Sequence, residues 1–198
     1  MDPQATRASL LSRLRDPADD AAWREFQACY GELILRYARA RGLSQCDAED
    51  IHQIVLLGLC RSLRGFHYTP SRGRFRDYLG RVVKNAVARS ITRQRPAPVS
   101  LDATGRAAEV AARDEADGLW EREWRNHHLR TAMAEVRRTF EARSIMLFER
   151  LAAGVPAEAL AREYGMEVMA VYQAKQRILN RLKVLIARQI REEDEPDG

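Results

Sequence analysis

The sequence predicts an all-α protein made of two small helical domains that a flexible linker joins. Apolar residues recur at three- and four-residue steps through most of the 198 residues, which is the spacing of helices with one buried face. The stretch 96–118 breaks this pattern, because it has no aromatic residue and is rich in alanine, proline, aspartate and glycine. We therefore expect a domain at 1–95, a linker at 96–119, a domain at 120–192 and an acidic tail at 193–198.

The first long helix begins after a polar lead that Asp16-Pro17 interrupts. Asp19 and Asp20 are suited to cap its N-terminus, and Gly42 is placed to end it. Its apolar residues share one face and form a candidate core: Trp23, Phe26, Tyr30, Leu33, Ile34, Tyr37 and Ala38.

The next helix begins near Ser44 and Asp47, which resemble a capping box. Apolar residues surround most of it and predict deep packing: Ile51, Ile54, Val55, Leu57, Leu59, Cys60 and Leu63. Its first turn is instead an acidic and polar lip, made of Asp47, Glu49, Asp50 and Gln53. Acids are typical of a helix N-terminus, and the lip is also a candidate docking surface for a basic partner.

The stretch from Arg72 to Arg95 predicts a basic amphipathic helix. Eight basic residues against Asp77 give it a net charge of +7, in a chain whose total is only +5. Its apolar face comprises Phe75, Leu79, Val82, Val83, Ala86 and Ile91, and its basic face Arg74, Arg81, Lys84, Arg89 and Arg93, with Tyr78 and Asn85 among them. Cations neutralise phosphates and rings stack on unpaired bases, so the pattern indicates a nucleic-acid surface, although a solvated helix face looks similar.

The second domain contains a candidate helix-turn-helix. Helices are expected from Trp120 to Phe140 and from Ile145 to Leu151, followed by a short helix at 156–164, a turn at Gly165 and a long helix at 167–191. The long helix has Val168, Val171, Ile178, Leu182 and Leu185 on its inward face, and on or beside its outward face Met169, Tyr172, Gln173, Lys175, Gln176, Arg177, Asn180 and Arg181. Amide and guanidinium groups can read base edges, but a bundle helix with a polar face has the same pattern.

Other classes of function find little support in the sequence. There is no Gly-rich phosphate loop, H-E-x-x-H or nucleophile motif, so we expect no enzyme, no cofactor and no small-molecule substrate. The polar start argues against a signal peptide, and no apolar run is long enough for membrane insertion. Cys29, Cys46 and Cys60 lack C-x-x-C spacing, which predicts small buried residues in a reducing cytosol, and the His127-His128 pair predicts a polar helix surface rather than a metal site.

Three motifs carry a resemblance to a known family. An A-x-D-x-x-Q step lies at 48–53, a Gly-x-Phe-x-x-Tyr-Leu step lies at 73–79, and Asn85 precedes an Arg-rich end. With these motifs, 47–95 resembles conserved region 2 of bacterial sigma-70 family sigma factors of the extracytoplasmic-function group. The stretch 133–190 resembles region 4, the helix-turn-helix of the same family.

The resemblance implies a cytoplasmic bacterial protein that binds core RNA polymerase and promoter DNA, and it allows an anti-sigma protein as a further partner. The clamp helices of the polymerase would contact Asp47, Glu49, Asp50 and Gln53. The minus-10 non-template strand would be melted and held by Phe66, His67, Tyr68, Arg72, Arg74, Phe75, Tyr78, Arg81, Lys84, Asn85, Arg89 and Arg93. The minus-35 duplex would be read by Met169, Tyr172, Gln173, Lys175, Gln176, Arg177, Asn180 and Arg181.

Several positions depart from the family pattern and bear on promoter preference and on the clamp contacts. Ile54 stands where an acidic residue is usual, Arg89 where aspartate is common, and Glu167 where serine or threonine is usual. An alternative function is a helix-turn-helix regulator that binds duplex DNA without being a polymerase subunit, but it leaves the acidic lip and the aromatic basic helix unexplained. A helical interaction protein with no DNA role leaves two basic segments unexplained, namely 72–95 with a net charge of +7 and 167–191 with a net charge of +5.

Overall fold

A computed structural model of the protein describes residues 7–63, 75–94 and 103–194, with side chains over 10–63, 75–93 and 113–192. Every regular element in these ranges is a helix, which confirms the predicted all-α class. The described chain separates into two compact units. One unit extends to Arg125, and the other runs from Asn126 to Arg191.

Eight helices are described in chain order. The first unit contains α1 (Arg7–Arg13), α2 (Asp20–Ala40), α3 (Gln45–Leu63), α4 (Phe75–Gln94) and the first part of α5 (Ala103–Thr139). The second unit contains the remainder of α5, α6 (Ala142–Ala152), α7 (Ala157–Glu163) and α8 (Val168–Asp194).

Helix α2 begins and ends where its capping residues predict. The Asp19 carboxylate accepts a hydrogen bond from the Ala22 N–H at 2.9 Å, which satisfies one of the free donors of the first turn. The Arg13 guanidinium donates to the same carboxylate at 3.0 Å, and together with the backbone donor it lowers the pKa of Asp19. Gly42 follows the helix with a φ of 88°, a conformation that glycine adopts without steric cost.

An aromatic cluster forms the centre of the first unit. Phe26 and Tyr30 of α2 contact the ring of Phe75 at the start of α4, with centroid distances of 6.3 and 5.7 Å. The rings of Trp120 and Trp124 on α5 complete the cluster against Tyr37 and Tyr30, at 5.5 and 6.0 Å. Trp120 and Trp124 are almost fully buried, so this part of α5 belongs to the first core.

The structure differs from the predicted linker. Residues 103–119 lie within α5, and Leu119 is buried in the first core beside Trp120. Periodicity does not predict this helix, because 103–118 contains two glycines and few large apolar side chains. Leu119, Trp120 and Trp124 pack in the first core and hold this part of α5 in place. Such tertiary packing can override weak helix propensity.

The helix-turn-helix elements of the second unit form as expected. Pro156 precedes α7 in an extended conformation, and Gly165 has a φ of 59° between α7 and α8. Four of the predicted inward residues of α8 are buried, namely Val171, Ile178, Leu182 and Leu185, and Val168 is partly buried. Burial of this face leaves the opposite face of α8 exposed.

The expected environments of the paired histidines and of Cys46 are wrong. His127 and His128 are buried, and His128 Nδ1 lies 2.8 Å from Gln189 Oε1, so the pair is not a polar surface. Cys46 is exposed, whereas burial was expected for all three cysteines. Cys46 lies in the first turn of α3, on the side that α2 and α4 leave uncovered, and none of the three cysteines forms a disulfide with another described residue.

Candidate nucleic-acid and partner interfaces

Helix α3 exposes part of its apolar surface. Ile54 is 50% exposed and Leu57 is 58% exposed, so the predicted deep packing is wrong at these two positions. The reason is geometric, since Ile51, Val55 and Leu59 already fill the side that packs on α2 and α4. Large apolar side chains on an otherwise charged surface are typical of protein interfaces.

The acidic lip borders this exposed surface, and its carboxylates differ in availability. Ser44 Oγ accepts the Asp47 N–H at 3.1 Å and donates to Asp47 Oδ2 at 2.6 Å, so Asp47 helps to start the helix. Gln45 Nε2 donates to Glu49 Oε1 at 2.6 Å. Asp50 is exposed and has no hydrogen bond or ion pair with any residue that the structure describes. Its carboxylate is therefore the one most available to a partner.

A groove between α3 and α4 brings together residues that the sequence assigned to different partners. Asp47 and Asp50 line it from α3, and Asn85, Arg89 and Arg93 line it from α4. Arg89 is one of the departures from the family pattern. In this groove its positive charge lies near two carboxylates, where an aspartate would add a further negative charge.

The predicted strand-binding residues of α4 have different environments. Arg81, Asn85, Arg89 and Arg93 are exposed on the helix surface. Their positions recur at four-residue steps, so they form one stripe. The Lys84 ammonium group instead forms an ion pair with Asp117 of α5.

The aromatic residues predicted to contact bases also differ in their burial. Phe75 is only 2% exposed and packs on Phe26 and Tyr30, so its predicted role as a base-contacting residue is corrected to a core role. Tyr78 is half-buried, and its hydroxyl lies 2.6 Å from Ser62 Oγ of α3. The remaining predicted loop residues are Phe66, His67, Tyr68, Arg72 and Arg74, and they lie outside the described residues.

Helix α8 presents the predicted reading surface. Met169 and Tyr172 are 62% and 46% exposed. The polar members Gln173, Gln176, Arg177 and Asn180 are exposed, whereas Lys175 and Arg181 are half-buried at the borders. Gln176 Nε2 donates to Asn180 Oδ1 at 3.0 Å, which holds two amides in one orientation on the same face. Such amides and guanidinium groups can form bidentate contacts with base edges.

The turn between α7 and α8 is held by arginines that the sequence analysis did not single out. Arg143 Nη2 donates to the Tyr164 carbonyl at 2.7 Å, and its guanidinium lies 5.8 Å from the centre of the Tyr164 ring. Arg150 lies 5.9 Å from the same ring and donates to the Tyr164 hydroxyl at 3.2 Å. Its hydrogen bond to Glu163 lowers the pKa of that carboxyl. These contacts fix the start of α8 relative to α6.

The contacts that α5 makes with α4 were also not predicted from the sequence. Arg76 forms an ion pair with Glu121, and its guanidinium lies 5.9 Å from the centre of the Trp124 ring. A Cβ placed at Gly80 would lie 2.5 Å from the Trp120 indole nitrogen, so the two helices approach closely there. The only sequence signal was the four-residue spacing of Trp120 and Trp124.

Two further kinds of feature are absent from the ranges 10–63, 75–93 and 113–192. No three histidine, cysteine or acidic side chains converge there as candidate metal ligands. None of the helices described has an apolar run long enough to cross a membrane.

Comparisons with known proteins agree with part of the resemblance. Residues 27–97 match the family model described as Sigma-70 region 2. No curated protein matches the chain. A solved structure described as "Structure of CnrH in complex with the cytosolic domain of CnrY" matches 91% of this chain and 97% of its own chain, at 21% sequence identity and a TM-score of 0.38. A similarity at that TM-score carries no inference about this chain.

The family match covers α2 from Gln27 onward, α3 and α4. The resemblance of 47–95 to sigma-70 region 2 is thereby confirmed, whereas the assignment to the extracytoplasmic-function group stays a prediction. The resemblance of 133–190 to region 4 lies outside the matched segment and stays a prediction. The chain therefore contains a segment that matches sigma-70 region 2.

Proposed function

We propose that this protein is a sigma factor that binds core RNA polymerase and directs promoter-specific initiation. The observation that carries the proposal is the match of 27–97 to Sigma-70 region 2. In this proposal, the region 2 domain extends over 1–95 and the helix-turn-helix domain extends over 120–192. The former contacts polymerase and the minus-10 element, and the latter reads the minus-35 element.

The exposed surface of α3 supports a polymerase contact. Asp50, Glu49 and Gln53 supply polar groups, while Ile54 and Leu57 supply apolar area that folding leaves uncovered. Interfaces combine an apolar centre with a polar rim, and this surface has both. The departure at Ile54 adds to the apolar part of the surface, where an acid would add charge.

The basic stripe on α4 supports contact with the minus-10 strand. Arg81, Asn85 and Arg89 are exposed on one side of the helix, and Arg93 continues the stripe. Guanidinium groups neutralise phosphates, and capture of unpaired bases melts DNA without nucleotide hydrolysis. Phe75 supports this surface from the core, and Tyr78 borders it.

The outward face of α8 supports recognition of the minus-35 duplex. The second helix of a helix-turn-helix lies in the major groove, where its first turns contact base edges. Gln173, Gln176 and Arg177 occupy those turns and are exposed. The bonds from Arg143 and Arg150 to Tyr164 hold the turn that sets the direction of α8.

Reconstitution with core RNA polymerase tests the proposal. Purified protein should associate with core enzyme and produce transcripts with defined start sites from genomic templates of its source. Replacing Asp50→Ala should weaken association with core by about 1–3 kcal/mol if the carboxylate meets a charged donor. The matched control is Glu32→Gln, because Glu32 is an exposed acid on α2 paired with Arg36, and this change should leave the affinity for core unchanged.

Three outcomes separate the alternatives. Failure of the wild-type protein both to bind core and to direct specific transcripts would refute the proposal. Specific duplex binding in that case would favour the helix-turn-helix regulator. Equal affinities of the Asp50→Ala and wild-type proteins for core would show that the lip serves only to start α3.

A further inference from the structure

The side of α4 that faces α5 is covered by an acidic segment of the same chain, which we call the α5 cover and define as residues 113–124. The cover carries five acidic residues, and its apolar residues Leu119, Trp120 and Trp124 are buried in the first core. The acidic residues are Asp114, Glu115, Asp117, Glu121 and Glu123. The cover is therefore packed in place by its apolar side, which holds its acidic side next to the basic helix.

Four contacts fasten the α5 cover to the first unit. Arg76 and Lys84 of α4 form ion pairs with Glu121 and Asp117. The Tyr37 hydroxyl of α2 donates to the Ala116 carbonyl at 3.4 Å, and burial raises the pKa of Tyr37 to about 12, so the hydroxyl keeps its proton at neutral pH. Arg41 of α2 lies 3.8 Å from Glu115.

The ion pair of Lys84 bears on strand binding as well as on stability. Lys84 belongs to the basic face of α4 that is proposed to hold the strand, yet its ammonium group is paired with a carboxylate. Its side chain is 28% exposed, whereas that of Asp117 is 61% exposed, so the pair lies at the edge of the cover and within reach of solvent. A phosphate approaching along α4 would compete with Asp117 for the same ammonium group.

We propose that the α5 cover restrains strand binding through Asp117, which occupies Lys84 in the free protein and yields it to phosphate when the strand is bound. This inference rests on the proposed function. It assigns Lys84 two successive anionic partners, and it makes Asp117 an internal competitor of the nucleic acid. Arg76, by contrast, is held by Glu121 and by the Trp124 ring and stays with the cover.

The test compares two neutralising substitutions on the same helix, using the full chain and a fluorescent single-stranded oligonucleotide. Asp117→Asn should raise affinity about two- to fivefold, which is the usual worth of an exposed ion pair. The slope of log affinity against log salt should stay nearly the same, because Lys84 contacts phosphate in the complexes of both proteins and the number of phosphate contacts does not change. Asp114→Asn is the matched control, because Asp114 is exposed on the same cover and has no ion pair among the described residues.

A third variant tests the route of the effect. In a Lys84→Gln background, Asp117→Asn should give no further gain in affinity, because the ammonium group for which Asp117 and phosphate compete is absent. Equal gains from Asp117→Asn and Asp114→Asn would mean that only net charge matters, and no gain from either would mean that Asp117 does not compete. A gain that persists without Lys84 would assign the effect to another cation. Each of these three results would overturn the inference while polymerase-dependent transcription by the wild-type protein upheld the proposed function.

Discussion

Gly80 lets α4 approach α5 closely, because it leaves room for the Trp120 indole. A Cβ at this position would meet three atoms of that ring at 2.5 to 3.1 Å. The ring is buried and packed against Tyr37, so it cannot move aside without disturbing the core. Glycine is required here by contact with a neighbouring side chain, and its φ is ordinary.

We therefore predict that Gly80→Ala destabilises the protein by about 1–3 kcal/mol, the usual cost of overpacking a filled core. Gly58→Ala on α3 is the control, since a Cβ there has no neighbour within 4 Å. That change should be neutral or stabilise by up to about 1 kcal/mol, because alanine is the better helix former. Urea unfolding of both variants provides the measurement, and a similar loss in the two would show that the Trp120 contact is not the cause.

Single-residue environments were the part of the site that the sequence predicted least. Periodicity assigned Phe75, Ile54 and Lys84 each to a face of its own helix, but it does not show which neighbour covers each side chain. Phe75 is covered by α2, Ile54 is left exposed, and Lys84 is paired with an aspartate 33 residues away. Such long-range contacts depend on how helices pack, and a single sequence carries no local signal for them.

At the scale of helices, the prediction succeeded where one face has a strong apolar pattern. Helices α2, α4 and α8 begin and end within a few residues of their expected bounds, and the exposed polar face of α8 follows from the buried one. Helix α5 was missed over 103–119 because alanine-rich and acidic residues without large apolar side chains also suit a linker. The decisive residues, Trp120 and Trp124, stand at the end of that stretch.

The packing of α3 on α2 predicts a pH dependence of stability. His52 of α3 faces Gly31 of α2, where a Cβ would lie 3.2 Å from the ring nitrogen Nε2. That nitrogen is buried without a hydrogen-bond partner among the described residues, and burial lowers the pKa of His52 below its ordinary value of 6.5. The folded protein therefore favours the neutral His52 ring over the protonated ring.

The lowered pKa of His52 determines how the free energy of unfolding changes with pH. Because the unfolded chain takes up the proton more readily, the free energy of unfolding should fall as pH decreases below about 6.5. Replacing His52→Gln should remove that part of the slope while other acid-sensitive groups remain. Unfolding free energies of both proteins between pH 8 and 5.5 test this, and parallel curves would show that His52 does not contribute.

At the scale of the whole molecule, the unit boundary and the proposed functional boundary do not coincide. The region 2 domain was predicted to end at Arg95, and the family match ends at Ala97. The first compact unit nevertheless extends to Arg125, because α5 supplies three buried side chains to its core. A segment that resembles a linker by composition is therefore part of the folded body that carries the basic helix.

This difference predicts how fragments behave. A fragment of residues 1–125 should unfold cooperatively, whereas 1–95 should lose several kcal/mol, since truncation of a buried tryptophan alone costs about 3–5 kcal/mol. Leu119, Trp120 and Trp124 are absent from the shorter fragment, and the aromatic cluster around Tyr30 and Tyr37 would be open to water. Urea unfolding followed by circular dichroism gives both midpoints. Equal midpoints would mean that α5 adds nothing to the stability of the core formed by α1 to α4. The α5 cover could then separate from α4 with little loss of free energy.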